Sequence, residues 1–292
     1  MNASRLLSHN SRKLAGALLA LGLLGATPTH ATLIYSESFN YSSGAINGQG
    51  GGAVNGYSGN WANTSDGVSN QVRTGLTYTS GGLTLVSSGN GAGDSDGGAR
   101  GGNYRPWTAP VGTFNDGQSL WFSALVNMPS SGTASDLRLY AFAPTTDVGN
   151  DNGYGLAINS NTGEIKAANG GTFQAPITSS ASLAATFGTT MLIVARFDNS
   201  PVAGADVITV WVNPSMATEP TTGGVSVSGT FATSTLNSAF RFGSPATGTV
   251  DEIRLATTFA EAVPTVPEPA SAALLGLAAG GVFIGRRRPR TA

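Results

Sequence analysis

From residue 120 to 128 the chain sets Leu120, Phe122, Ala124, Val126 and Met128 at every second position, with Ser123 and Asn127 between them. The same period of two recurs over 137–143, where Leu137, Leu139, Ala141 and Ala143 alternate with Arg138 and Tyr140. It returns over 191–198 and over 206–213, where Ile208, Val210 and Val212 share one side. Alternation puts each apolar set on one face of a strand, as a half-buried sheet requires. Further strands are predicted over 33–39, 155–159, 164–168, 240–243 and 250–255, with weaker candidates over 83–86 and around Tyr104. Ser160-Asn161-Thr162-Gly163 reads as the turn of a hairpin between two of them. Residues 179–185 are the one stretch predicted as a helical turn. Short strands punctuated by Gly, Asn, Asp and Pro predict an all-β fold of two packed antiparallel sheets, a sandwich, with no internal repeat.

Both ends break this pattern. Arg5, Arg12 and Lys13 precede an apolar run over 14–24, and Thr29-His30-Ala31 supplies small residues at the −3 and −1 positions. That is the layout of a secretory signal peptide over 1–31, implying export by the Sec machinery and a mature start near Thr32. At the other end, Pro267-Glu268-Pro269 leads into an apolar run over 270–285 and then Arg286, Arg287, Arg288 and Arg290. The prolines hold the backbone extended. At ~1.5 Å per residue the 16-residue run spans only ~24 Å as a helix, short for a stable membrane span. The arginines favour the cytoplasmic side. The body is then a single domain over 32–264, with 265–292 as a separate tail.

The tail resembles the PEP-CTERM sorting signal, with Pro267, Glu268, Pro269 and the Arg286–Arg288 cluster at the positions that define it. The resemblance implies a membrane-embedded exosortase as processing partner, transient anchoring in the inner membrane, and delivery to the surface or matrix of an exopolysaccharide-producing Gram-negative bacterium. The body also carries a resemblance. Glu37-Ser38-Phe39-Asn40-Tyr41, the glycine-rich run to Trp61, the 192–198 and 209–214 segments, and Val250-Asp251-Glu252-Ile253-Arg254-Leu255 are similar to LamG-like, concanavalin A-like domains. That implies a jelly-roll sandwich, an architecture common among lectins.

Charge and chemistry narrow the function. The chain has 15 basic and 16 acidic residues, but seven of the basic ones lie in the two ends, so the body holds 8 against 15 and carries −7. An acidic body with Lys166 as its one lysine argues against a nucleic-acid partner. There is no cysteine, and both histidines, His9 and His30, belong to the signal peptide. The body therefore cannot build a Ser-His-Asp triad, a Cys-His pair or a typical zinc site. A carboxylate pair for glycoside hydrolysis is the remaining route. The Glu-x-Asp-x-x-Glu string of laminarinase-type enzymes of similar fold does not occur, and Asp251 and Glu252, as strand neighbours, point to opposite faces.

Two acidic loops are candidates for Ca²⁺, one at Asp94 and Asp96, the other at Asp147 and Asp151, because calcium takes clustered oxygen ligands. The same residues are ordinary turn formers. Tyr57, Trp61, Tyr104, Trp107 and Tyr154 lie near Gly/Asn-rich segments where a ring can stack on a sugar, with simple packing as the competing reading. Trp121 and Trp211 alternate with apolar residues and read as packing. The leading expectation is a non-enzymatic surface or matrix protein linked to exopolysaccharide. A lectin-like carbohydrate-binding module, with or without Ca²⁺, is the first alternative, and a divergent polysaccharide-degrading enzyme the second.

Overall fold

A computed structural model of the chain describes residues 32–51, 55–63, 70–93, 101–107, 114–129, 136–143, 153–171, 176–231, 239–244 and 248–267. Its strands begin with β1 (Leu33–Glu37), β2 (Ala62–Asn63), β3 (Gln71–Thr74), β4 (Thr79–Ser80), β5 (Leu83–Leu85), β6 (Asn90–Gly93) and β7 (Gly101–Pro106). The middle of the chain forms β8 (Ser119–Asn127), β9 (Asp136–Ala143), β10 (Tyr154–Asn159), β11 (Glu164–Gly171), β12 (Pro176–Thr178) and β13 (Leu183–Ala184). The last group is β14 (Thr190–Asp198), β15 (Asp206–Val212), β16 (Val225–Gly229), β17 (Ala239–Ser244), β18 (Thr249–Ala256), helix α1 (Phe259–Ala262) and β19 (Thr265–Pro267).

These strands form two eight-stranded sheets. The first runs β16-β15-β14-β8-β18-β6-β3, with β1 also on β18, and the second runs β12-β11-β10-β9-β17-β7-β2, with β13 also on β11. A third sheet, β19-β5-β4, has three strands. Described pairings are antiparallel throughout. The alternation read in the sequence sets the inner faces: Phe122, Ala124 and Val126 of the first sheet meet Leu139, Phe240 and Phe242 of the second in one core. Rings cross the gap between sheets, Phe142 edge-on to Phe197 at 4.9 Å and Phe122 stacked on Phe240 at 6.0 Å. Each fully buried Phe contributes about 1.5–3 kcal/mol relative to exposure.

Among the described residues, one ion pair lies between the sheets. Glu37 at the end of β1 binds Arg105 of β7, both side chains almost wholly buried. The carboxylate also accepts from the Phe39 N–H at 2.8 Å, the Tyr41 hydroxyl at 2.5 Å and the Trp61 indole N–H at 3.0 Å. Arg105 donates to the Gly59 carbonyl at 3.0 Å and lies 4.1 Å over the Tyr57 ring. A buried pair is tolerable only with its remaining hydrogen-bonding capacity met in this way.

The outer face of the first sheet is covered. Trp121 and Trp211 stack at 5.8 Å, and Phe259 of α1 sets its ring edge-on to Trp121 at 5.4 Å. Arg196 lies 5.5 Å over Trp121. Leu125, Leu192 and Val194 join them in a second apolar cluster with Leu85 of the third sheet. Helix α1 is held at its start by Thr258, whose side chain accepts from the Glu261 N–H, and at its end by Ser123, which donates to the Ala262 carbonyl.

Three expectations change. Residues 179–185 form no helix: Ser179 donates its N–H to the Ala167 carbonyl, and β13 pairs with β11. Pairing to a sheet edge outweighs the weak local preference of a Ser/Ala run. Asp251 and Glu252 do not simply alternate across a regular strand. Register slips between Asp251 and Arg254, and Glu252 adopts a left-handed φ of +47°, so both carboxylates are buried at a β-bulge. Finally, β19 pairs Pro267 with Leu83, carrying the folded body past Pro264. The signal peptide, Glu268, Pro269, the expected C-terminal helix and Arg286–Arg288 lie outside the described residues, as do Asp94, Asp96, Asp147 and Asp151. Among the described residues no helix is long and apolar enough to cross a membrane.

Candidate functional site

Buried aromatics leave little ring surface for a sugar. Tyr57, Trp61, Trp107 and Tyr154 are each at most 3% exposed. Their rings are occupied: Tyr57 and Trp107 pack on Tyr35, Trp61 stacks on Phe39, and Tyr154 meets Phe231 edge-on. Stacking on an external ligand is therefore closed to these four. Their glycine-rich surroundings serve close packing. Tyr104 alone is half-buried, on the outer face of the second sheet.

That face is where polar chemistry collects. Cross-strand register places its side chains in rows. One row runs Tyr104, Arg241, Tyr140, Gly155, Ala168 and Thr178 from β7 to β12. The next runs Gly243, Arg138, Ala157 and Lys166, and a third sets Asp136 beside Asn159 at the mouth of the β10–β11 hairpin with Glu164 following the turn. Large polar side chains thus stand around a floor of Gly and Ala.

The floor is forced by backbone proximity. A Cβ at Gly155 would come within 2.0 Å of the Leu139 carbonyl oxygen, and one at Gly153 within 2.3 Å of the Tyr140 ring. Tyr140 consequently lies down against the sheet and is buried, as is Arg241. Burial raises the Tyr140 phenol above its ordinary value, and the Arg138 and Arg241 guanidiniums oppose that rise.

A groove of about 250 Å³ opens over the two lower rows, lined by Asp136, Arg138, Ala157, Asn159, Glu164, Lys166 and Thr178. Within each flanking strand an acid and a cation two residues apart pair on the same face: Arg138 with Asp136 at 3.1 Å, Lys166 with Glu164 at 3.6 Å. Asn159 is fixed as well. Its Nδ2 donates to Asp136 at 3.2 Å, while its Oδ1 accepts from the Asn161 and Thr162 N–H groups of the turn. Sequence reasoning did not single these residues out. The signal was the tripeptides Asp136-Leu137-Arg138 and Glu164-Ile165-Lys166, each a charge pair with an apolar residue between.

A larger depression of about 830 Å³ lies on the first sheet's side, between α1 and the loop at Met216–Glu219. Its one charged lining residue, Glu219, pairs with Arg196 at 3.5 Å. It lacks convergent polar groups, which a specific site needs. The acids at the β18 bulge are likewise structural. Asp251 accepts from the Leu76 and Glu252 N–H groups, both at 2.7 Å, and Glu252 from the Ser88 N–H at 2.6 Å and Arg254 at 3.2 Å. Burial pushes the Asp251 carboxyl up to about 7 against those hydrogen bonds, and raises Glu252 in the same direction. Among the described residues no three acidic side chains gather as metal ligands would.

No protein-family model matches the sequence, and neither does any curated protein. Among solved structures the chain is similar in shape to a protein of unknown function from Shewanella oneidensis MR-1, at 15% identity and a TM-score of 0.46, covering 86% of this chain and 93% of that one. It is also similar to the CBM2 module of an evolved Dit from Lactobacillus casei BL23 phage J-1, at 9% identity and a TM-score of 0.39, covering 78% and 96%. A family 7 alginate lyase follows at 12% identity and a TM-score of 0.29, covering 60% and 82%. At TM-scores below 0.5 these likenesses assign neither ligand nor activity.

Proposed function

We propose that this is an exported, non-enzymatic surface or matrix protein whose jelly-roll body associates with polysaccharide along the outer face of its second sheet. The observation that carries the reading is the groove over β9, β10 and β11. It sets the small side chain of Ala157 among carboxylates, an amide, a guanidinium and an ammonium, groups that hydrogen-bond sugar hydroxyls. Export and sorting rest on the two terminal segments: a signal peptide ending at Ala31, and the Pro267-Glu268-Pro269 tail offered to an exosortase.

A glycan-binding screen on the purified full-length protein tests the body. Binding without release of new reducing ends is expected, and sugar release would make it an enzyme instead. Mass spectrometry of surface-located protein tests the sorting: a mature N-terminus near Thr32 and a C-terminus near Pro267–Pro269 are expected. An intact Ala292 at the surface rules the sorting out.

A further inference from the structure

Arg138 and Lys166 stand opposite one another, each directly across from Ala157 on the strand between them. Two strand steps of about 4.8 Å separate their backbones, so the two cations flank a single methyl group in the lining of one groove. The adjoining row repeats the geometry with opposite charge: Asp136 and Glu164 stand on either side of Asn159. Each acid steadies the cation two residues along its own strand. The groove is therefore polar along its length, with a cationic end over Ala157 and an acceptor-rich end over Asn159.

This runs against the charge of the rest of the body. Of its 8 basic residues, Arg138, Lys166 and Arg241 share this one sheet face, including the only lysine, while the body as a whole carries −7. A neutral sugar needs no cationic end. A sugar carrying a carboxylate does, because two cations facing each other bind an anion more strongly than either alone, and hydrogen bonds to ionised groups are the stronger kind.

We propose that the Arg138–Lys166 pincer takes the carboxylate of a uronate-bearing polysaccharide, with the hydroxyls of the same sugar unit directed to Asp136, Asn159 and Glu164. The rows lie about 6.8 Å apart along the strands, the scale of one sugar ring with its substituents. Ala157 is the floor that lets the carboxylate descend between the cations. The inference rests on the reading that this face binds polysaccharide, and it names the chemical class.

The test is calorimetry on the full-length protein at low salt, with galacturonate and mannuronate tetramers and their carboxyl-reduced, neutral counterparts. A uronate tetramer is expected to bind at least tenfold more tightly than its reduced form, and more weakly as salt rises. K166Q is expected to lose at least fivefold on the uronate and nothing on the neutral tetramer, with K166R retaining most of the affinity. A157L should block both while leaving all charges in place. Equal affinity for uronate and reduced tetramers, or unchanged uronate binding by K166Q, overturns the pincer and leaves a neutral-glycan body standing. Binding to no glycan at all, in the tetramers and in the wider screen, overturns both.

Discussion

Along the first sheet, the outward side chains at the centre of β8, β14 and β15 are Trp121, Leu125, Leu192, Val194 and Trp211, buried beneath α1 and the third sheet. Along the second, the hairpin end of β9, β10 and β11 offers Asp136, Arg138, Ala157, Asn159, Glu164 and Lys166 around an open groove, next to the buried Tyr140 and Ala168. Both faces belong to antiparallel sheets built on the same core. One is sealed by segments of the chain itself, and the other bears charge in ordered rows. An apolar outer face must be covered or it becomes a sticky patch. A charged one needs no cover, and here its acids and cations are paired within each strand. The difference in side-chain chemistry between the two faces is the ground for proposing the second sheet as the binding face.

The largest expected effect comes from breaking the cover. W121A removes a ring held between Trp211, Phe259 and Arg196, and a buried Trp cut to Ala costs about 3–5 kcal/mol. Urea denaturation should show that loss, with glycan affinity of the remaining folded protein unchanged. A variant as stable as the wild type would mean that the first sheet's outer face is not the packed layer described. A fall in glycan affinity without a stability change would move the binding face to this side.

The next effect is pH-dependent and also belongs to the covered face, where Asp251 accepts the Leu76 N–H from the segment leading to β4. Burial raises its carboxyl to about 7. The folded protein then holds a proton that the unfolded chain, with an ordinary carboxyl near 4, has released. This contribution is complete below pH ~4 and is lost as the pH rises through about 7, for a total of roughly 2–4 kcal/mol. Glu252, raised in the same direction, adds to the slope. Relative to D251N, the wild type should therefore lose stability between pH 4.5 and pH 8. Parallel stability curves for the two proteins would remove Asp251 from the account.

Much of the scaffold behind this contrast was legible in the sequence. The alternation over 120–128 and 206–213 located β8 and β15 and sorted their faces, because burial on one side leaves a period of two. That over 137–143 located β9 and sorted Leu137, Leu139 and Ala141, but an irregularity at the strand's end turns Phe142 into the core and Ala143 out beside Tyr140. Strand β16 was not singled out, its alternation being confined to Val225 and Val227. Nor was strand β6, since Asn90-Gly91-Ala92-Gly93 has no apolar pattern and is ordered by its neighbours β18 and β3. The groove was legible only in fragments. That Arg138 and Lys166 are charged is plain, but that both face Ala157 depends on register across three strands, which local sequence does not encode. The aromatics misled for a related reason. Glycine beside Tyr57, Trp61, Trp107 and Tyr154 suggests an exposed loop, yet glycine equally lets backbones close around a ring.

The smallest expected effect sharpens the contrast from the open side. Glu164 and Lys166 pair at 3.6 Å with side chains 49% and 32% exposed. Pairs this open to solvent contribute about 0–1 kcal/mol, since water screens the attraction and two flexible side chains lose freedom to make it. Replacing both, as E164Q/K166Q, keeps the hydrogen-bonding shape and removes the charges. The denaturation midpoint should move by less than about 1 kcal/mol equivalent, while salt-dependent binding of a uronate tetramer falls. The two readouts separate on this face and not on the other, because here the charges stand at the rim of a groove and hold no layer in place. A large stability loss in the double variant would show that the pair supports the β10–β11 hairpin, whose turn Asn159 already fastens through the Asn161 and Thr162 N–H groups. The second sheet's outer face would then be scaffold like the first.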